Sequence, residues 1–343
     1  MFSKKFSFFL NFILIINLLP FIGGNGSFVS GSTNTAPIIA DHSIANLVRL
    51  DQIPDEAIIE AKNKLHIAYQ HTSHGSQIIT GMADLPSFKE ANGGTPGLFS
   101  YNSSFLEDNT IASYAPDPGQ AADAGYSQWS NATRAFLQDI NNKDVNVIMW
   151  SWCGQLSWMS EEELVNHYLT PMSILEQEFP DVTFVYMTGH TDGTGLEGNL
   201  HQRNEQIREF CKENNKVLYD FADIESYDPD GNYYGDKNVS DDCSWNNGTH
   251  SGNWAIEWQN THEEGVDWYN CGSAHSQPLN ANLKAYSAWW LWATLAGWEN
   301  ESNSGTGNNG DETAKTSFLS IYLLLIFFVS ISTNVLSNKR KVC

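Results

Sequence analysis

Four times in succession this chain sets a helix-patterned stretch directly before a short apolar run. "DEAIIEAKNK" (55–64) leads into "LHIAYQ" (65–70), and "SQWSNATRAFLQDINNK" (127–143) leads into "VNVIMWSW" (145–152). "SEEELVNHYLTPMSILEQEF" (160–179) leads into "DVTFVYMTG" (181–189), and "NLHQRNEQIREFCKENN" (199–215) into "KVLYDFAD" (216–223). Apolar runs of that length, fed by helices, predict a mostly parallel sheet with helices on both faces. Ser160 followed by Glu163 is a capping box that marks a helix start. "NANLKAYSAWWLWATLAGW" (280–298) predicts an apolar terminal helix. Between the fourth strand and that helix, residues 226–274 form a long insertion rich in Asp, Asn, Gly and Trp.

The alternating region occupies residues 37–298, one domain by its length. Before it, "MFSKKFSFFLNFILIINLLPFIGG" sets two lysines ahead of an apolar stretch, the layout of a secretory signal peptide over residues 1–30. After it, residues 299–316 are polar and Gly/Asn-rich and predict a flexible stalk. Residues 317–336 are uncharged and long enough to predict a transmembrane helix. Lys339, Arg340 and Lys341 follow in the tail 337–343, a basic cluster that marks the cytoplasmic side. The ends together predict export to the cell surface with the 37–298 domain outside, held by a single-pass membrane anchor.

The net charge is −22, which disfavours a phosphate-backbone partner, so nucleic acid is not expected. Among the five cysteines, Cys243 and Cys271 flank the loop-rich insertion, and export would permit a disulfide between them. Asn102, Asn131, Asn238, Asn247 and Asn300 each open an N-x-S/T sequon, so those positions are expected to face water.

In open parallel sheets, ligands bind outside the carboxyl ends of the strands. That rule selects "HTSHGSQ" (71–77), "SWCGQ" (151–155), "TGHTDGTG" (188–195) and "DIESYDPDGNYYG" (223–235). Ser73 lies in the first of these loops. A serine hydroxyl becomes a useful nucleophile only beside a base, and His275, just before the terminal helix, is placed to reach the same edge. This sets Ser73 and His275 together as a nucleophile–base pair.

These two blocks resemble the SGNH/GDSL-type hydrolases. "HTSHG" stands where that family's Gly-Asp-Ser stands, matching Ser73 to the nucleophile, and "SAHSQPLNANLKAYSAWW" resembles the block that holds its histidine, matching His275 to the base. The resemblance spans most of residues 60–298 and implies a flavodoxin-like three-layer α/β sandwich and a serine esterase. It implies oxyanion donors on later loops, for which Gly125, Gly154 and Gln155 are the candidates here. The family's Asp three residues before the histidine is replaced by Gly272, so the imidazole needs another acceptor, such as a backbone carbonyl or Asp267. His71, His74, His190 and Asp192 are expected around the pocket.

Two rival readings use the same residues. His71, His74, His190 and Asp192, with His275, match the ligand types of a catalytic zinc or similar ion and would make a metal-dependent hydrolase. A non-catalytic carbohydrate-binding surface domain would fit the missing aspartate and the insertion's Trp245, Trp254, Trp258 and Trp268, although tryptophans there also suit a core under a long loop. Asp228, Asp230 and Asn232 alternate around Gly231, which fits a structural calcium ion or a plain Asp-Gly turn. No cofactor is required by the serine reading. Its expected substrate is a small-molecule or glycan ester, with acyl or acetyl groups on extracellular carbohydrate the favoured class.

Overall fold

The protein is described by a computed structural model over residues 36–113, 118 and 128–299. Gly125, the expected leader 1–30, the stalk from 300 on, the apolar segment 317–336 and the basic tail 337–343 lie outside the described residues.

Six strands form one sheet: β1 (Ile39–Ala40), β2 (Ile67–Gln70), β3 (Leu106–Asp108), β4 (Val147–Trp150), β5 (Thr183–Met187) and β6 (Val217–Tyr219). Their order is β1-β6-β5-β4-β2-β3, and every ladder is parallel. Without the two-residue edge strand β1, the order is the flavodoxin-like one, with the chain reversing direction between β2 and β4. All four residues of β2 and of β4 are buried, as expected for parallel strands covered on both faces.

The helices, in chain order, are α1 (Leu47–Leu50), α2 (Asp55–Lys64), α3 (Ser76–Ala91), α4 (Gln128–Gln138), α5 (Glu161–Leu164), α6 (Thr170–Glu178), α7 (Asn199–Glu213), α8 (Phe221–Glu225), α9 (Trp254–Gln259) and α10 (Pro278–Leu295). α10 packs on α1, α2 and α3, while α4 packs on α6 and α5 on α7. The two groups cover opposite faces, giving a three-layer α/β sandwich.

Local chemistry explains the details. The expected capping box closes at Ser160 and Glu163. The predicted 160–179 helix is interrupted by a π-helical turn, Val165–Leu169. Pro171 has no N–H to give the preceding turn, and the indole N–H of Trp129 donates to the orphaned His167 carbonyl at 2.9 Å. α10 is apolar almost all round and is buried almost throughout, as a core helix should be. It meets α3 backbone to backbone at Gly81, where any Cβ would stand 2.2 Å from the Ala281 carbonyl oxygen.

The insertion folds over the sheet edge with a hairpin, β7 (Ser244–Asn246) and β8 (Ser251–Asn253), followed by α9. Its tryptophans point inward: Trp254 and Trp268 are buried, and Trp245 and Trp258 pack against the core. They do not line an open cleft as a carbohydrate platform would require. Among the described residues, the large exposed aromatic is instead Trp158, in the loop after β4, at 80% exposure.

The expected Cys243–Cys271 disulfide is not formed; both are free thiols. Cys243 Sγ lies 3.3 Å from Ser276 Oγ, and Cys271 Sγ accepts from Asn282 Nδ2 at 3.4 Å. Each sulfur is buried with its own polar partner, and burial pushes both thiols up to about 12.

The loop around Gly231 is a hydrogen-bonded turn centred on Asp228. Asp228 Oδ1 accepts from the backbone N–H of Asp230 and Asn232, and Oδ2 accepts from Asn232 Nδ2 and the Tyr234 hydroxyl. Asp230 accepts from the Trp258 indole at 3.2 Å. The carboxylates are thus engaged by protein donors. The described sequon asparagines, Asn102, Asn131, Asn238 and Asn247, are all exposed.

Candidate active site

The loop after β2 carries Ser73, and the segment entering α10 carries His275. Ser73 Oγ lies 2.9 Å from His275 Nε2, and both residues are exposed at the carboxyl edge of the sheet, beside the reversal between β2 and β4. The loop is held tightly. Tyr69 donates its hydroxyl to the Gly75 carbonyl at 3.0 Å. A Cβ on Gly75 would come within 2.5 Å of His71 Cβ and 2.2 Å of Ser151 Oγ, so the turn admits glycine alone without rearrangement.

His275 adopts φ +63°, a left-handed conformation that costs a non-glycine residue energy. Cys243, whose sulfur faces Ser276, is also left-handed at φ +69°. Strained positions of this kind cluster where a side chain must be aimed rather than relaxed.

Three imidazoles are stacked beside the serine. His74 lies on His190 at 3.9 Å between ring centroids and on His275 at 4.4 Å. His74 Nε2 lies 2.9 Å from Asp241 Oδ2. Burial lowers the His74 pKa more than Asp241 raises it, so the ring between its two imidazole neighbours is neutral near pH 7. A neutral His74 that donates Nε2–H to Asp241 leaves its buried Nδ1 without a partner. Burial alone would raise the Asp241 carboxyl, but the His74 hydrogen bond and the nearby imidazoles outweigh it and hold it below the ordinary value.

Asp241, hydrogen-bonded to His74, is a carboxylate close to His275. One ligand-capable atom each of His74, Asp241 and His275 lie within 4.8 Å of one another. Asp267 instead accepts from the Glu263 backbone N–H at 2.9 Å. Asp241 lies in "NVSDDCSW", and nothing in its spacing ties it to His275. The adjacent aspartates in a turn-rich loop were the available signal. Asp242 caps that turn, accepting from Ser240 and Ser244.

The expected metal set of His71, His74, His190 and Asp192 does not assemble. His71 turns toward the sheet edge, with Nε2 2.7 Å from Asp108 and Nδ1 2.7 Å from the Thr72 carbonyl. Asp192 accepts from Ser157 and Thr194, so it pins its own loop. His190 Nδ1 lies 2.6 Å from the Thr191 carbonyl. Among the described residues, the metal-capable groups are His74, Asp241 and His275, and, by the β1 and β6 ends, Asp41, His42 and Asp223.

Of the expected oxyanion donors, Gly154 caps the short 3-10 helix Gln155–Trp158, and Gln155 holds a buried Oε1 without a partner. A cavity of about 280 Å³ lies nearby at the carboxyl ends of β1 and β6, lined in part by Asp41, Asp192, Arg208, Asp220 and Asp223. It includes neither Ser73 nor His275, and in its wall Arg208 pairs with Asp220.

No family model matches the chain, and no curated protein matches it. Among solved structures, a candidate acylhydrolase from Bacteroides fragilis is similar over 74% of this chain and 98% of its own, at 10% identity and a TM-score of 0.35. That likeness is too slight to carry an argument about activity.

Proposed function

We propose that this chain is a hydrolase that cleaves carboxylic esters through Ser73 and His275. The observation that supports the reading is the 2.9 Å contact between Ser73 Oγ and His275 Nε2 on an accessible sheet edge. In this reaction the Ser73 oxygen bonds to the ester carbonyl carbon as His275 Nε2 takes its proton. Collapse breaks the carbon–oxygen bond to the alcohol, which leaves with the proton from His275. Water, deprotonated by the same imidazole, then releases the acid and restores Ser73. Asp241 stabilises the imidazolium through space. Gly154, Gln155 and Gly125 are the proposed donors to the oxyanion, and His71, His74 and His190 shape the floor of the site. Acyl or acetyl groups on extracellular carbohydrate are the proposed substrate, with the apolar end segments 1–30 and 317–336 supporting an exported, anchored enzyme.

The test is hydrolysis of a short-chain aryl ester by the full chain, together with labelling by a serine-directed phosphonate. Label on Ser73, with loss of turnover in Ser73→Ala and His275→Ala while the fold is retained, supports the serine mechanism. An unlabelled Ser73 in a folded wild type overturns it.

A second reading rests on the convergence of His74, Asp241 and His275, two imidazoles and a carboxylate that fit a zinc-type divalent cation. In that case His275 serves the metal rather than Ser73. Activity that survives Ser73→Ala and disappears with a chelator selects this reading.

A further inference from the structure

α10 buries a complete ion pair. Lys284 Nζ lies 2.5 Å from Glu225 Oε1, and both side chains are 0% exposed. Charges so placed are costly unless every remaining donor and acceptor is used. Here both Glu225 oxygens accept protein donors, Lys284 bonds Glu225 and Gln77 and lies over the Phe221 ring, and the partners lead to the site from two directions.

Glu225 Oε2 accepts the backbone N–H of Thr191 at 2.8 Å. The Thr191 carbonyl in turn accepts from His190 Nδ1 at 2.6 Å, and His190 stacks on His74. Glu225 Oε1 also accepts from Asn280 Nδ2 at 3.3 Å, and the same amide nitrogen donates to Ser276 Oγ at 2.7 Å. On the other side, Lys284 Nζ donates to Gln77 Oε1. An ammonium group has donors only, so it fixes which end of the Gln77 amide faces it. The other end, Nε2, must then point away, and it donates to the Ala274 carbonyl at 2.5 Å.

Ala274 is the residue before His275, whose φ of +63° needs an external hold. Gln77 itself sits in the first turn of α3, with its backbone N–H on the His74 carbonyl at 3.1 Å. One buried amide thus joins the helix that follows the serine loop to the loop that carries the histidine.

We infer that Gln77, oriented by the buried Lys284–Glu225 pair, is a positioning residue that holds His275 at Ser73. The inference rests on the Ser73–His275 reading of the site. It gives the pair a role beyond packing: neither charge touches the reacting atoms, yet the pair determines which way the Gln77 amide points and hence where the Ala274 carbonyl is held.

The decisive variant is Gln77→Met, which keeps the side-chain length and leaves Lys284 on Glu225. It is measured in the full chain for folded fraction, kcat and KM on the aryl ester, and the rate of phosphonate labelling. A misplacement of about 1 Å can cost about a hundredfold in rate. We expect kcat per folded molecule and the labelling rate to fall together by about ten- to a hundredfold, with KM changed less than about threefold. Ring 15N shifts of His275 give a readout independent of turnover. They should move in Gln77→Met toward those of an imidazole released from Ser73, and Gln77→Asn, which keeps the amide on a shorter stem, should recover part of the shift.

Unchanged kcat per folded molecule and unchanged His275 shifts in Gln77→Met overturn the inference. If the wild type takes no label at Ser73, the serine reading fails by itself. The ring shifts still decide whether Gln77 holds His275. A Lys284→Met variant that fails to fold bears on the ion pair alone, since Gln77→Met leaves that pair intact.

Discussion

Ser73 Oγ and His275 Nε2 meet at 2.9 Å although 202 positions separate them in the sequence. The contact exists because α3 and α10 cross with Gly81 against Ala281, bringing the loop before each helix to the same sheet edge. Groups that act as one unit lose their effect together. Ser73→Ala and His275→Ala should each lower kcat/KM for an aryl ester by more than about a thousandfold. The double variant should be no worse than either single one by more than about threefold. Steady-state kinetics on the three proteins measures this, and additive losses would show that the residues act separately.

Asp241 should matter to rate more than to substrate binding. Asp241→Asn keeps the shape but removes the charge near His275 and presents an amide to His74. A charged group near an imidazolium transition state contributes only when that charge forms. We expect kcat to fall by at least about tenfold with KM within about threefold. An equal loss in Ser73→Ala and Ser73→Ala/Asp241→Asn would confirm that the effect passes through the serine pathway.

His42 gives a pH signature for the fold. Its Nδ1 lies 2.5 Å from Asp223 Oδ2, and its ring stacks on Tyr227 at 3.5 Å. Burial lowers its pKa, but the hydrogen bond and charge of Asp223, with Asp41 and Asp220 behind it, outweigh burial and raise it. The folded protein then holds this proton more tightly than the unfolded chain, so protonation stabilises the fold. The contribution is full below an ordinary imidazole pKa of about 6.5 and fades as pH rises through the raised folded value. His42→Gln should therefore lower Tm more at pH 5.5 than at pH 9. A larger loss at pH 9 would reverse the assignment.

Reductant should leave stability unchanged. Cys211, Cys243 and Cys271 are free thiols. Removing a native disulfide from a small secreted domain typically costs about 2–5 kcal/mol. Urea midpoints with and without dithiothreitol should coincide, and Cys211, Cys243 and Cys271 should each react with a thiol reagent in the unfolded chain. A midpoint lowered by reductant would show that Cys243 and Cys271 pair.

The parts of the fold readable from sequence are those with long apolar runs. β2, β4, β5 and β6 were each expected because a parallel strand buried on both faces leaves a continuous apolar stretch. β1 and β3 were not, because two and three residues are too short to show any period. The meeting of Ser73 and His275 was legible because the sheet rule points to strand ends. Asp241 was not, because a carboxylate delivered by an irregular insertion leaves no spacing to read. The disulfide expectation failed for a related reason: loop flanks say nothing of whether two Cβ atoms face each other. The tryptophans of 245–268 followed the core reading, since a long insertion must bury apolar surface of its own.

The left-handed backbone at His275 sets folding against chemistry at one torsion angle. Glycine would occupy that position without strain, and asparagine with little. Selection for robustness alone would drift toward either, and the imidazole would be lost first. A library of this chain screened only for heat resistance should therefore return dead, sturdier proteins altered at 275, whereas one screened for turnover should keep histidine there and gain its stability elsewhere.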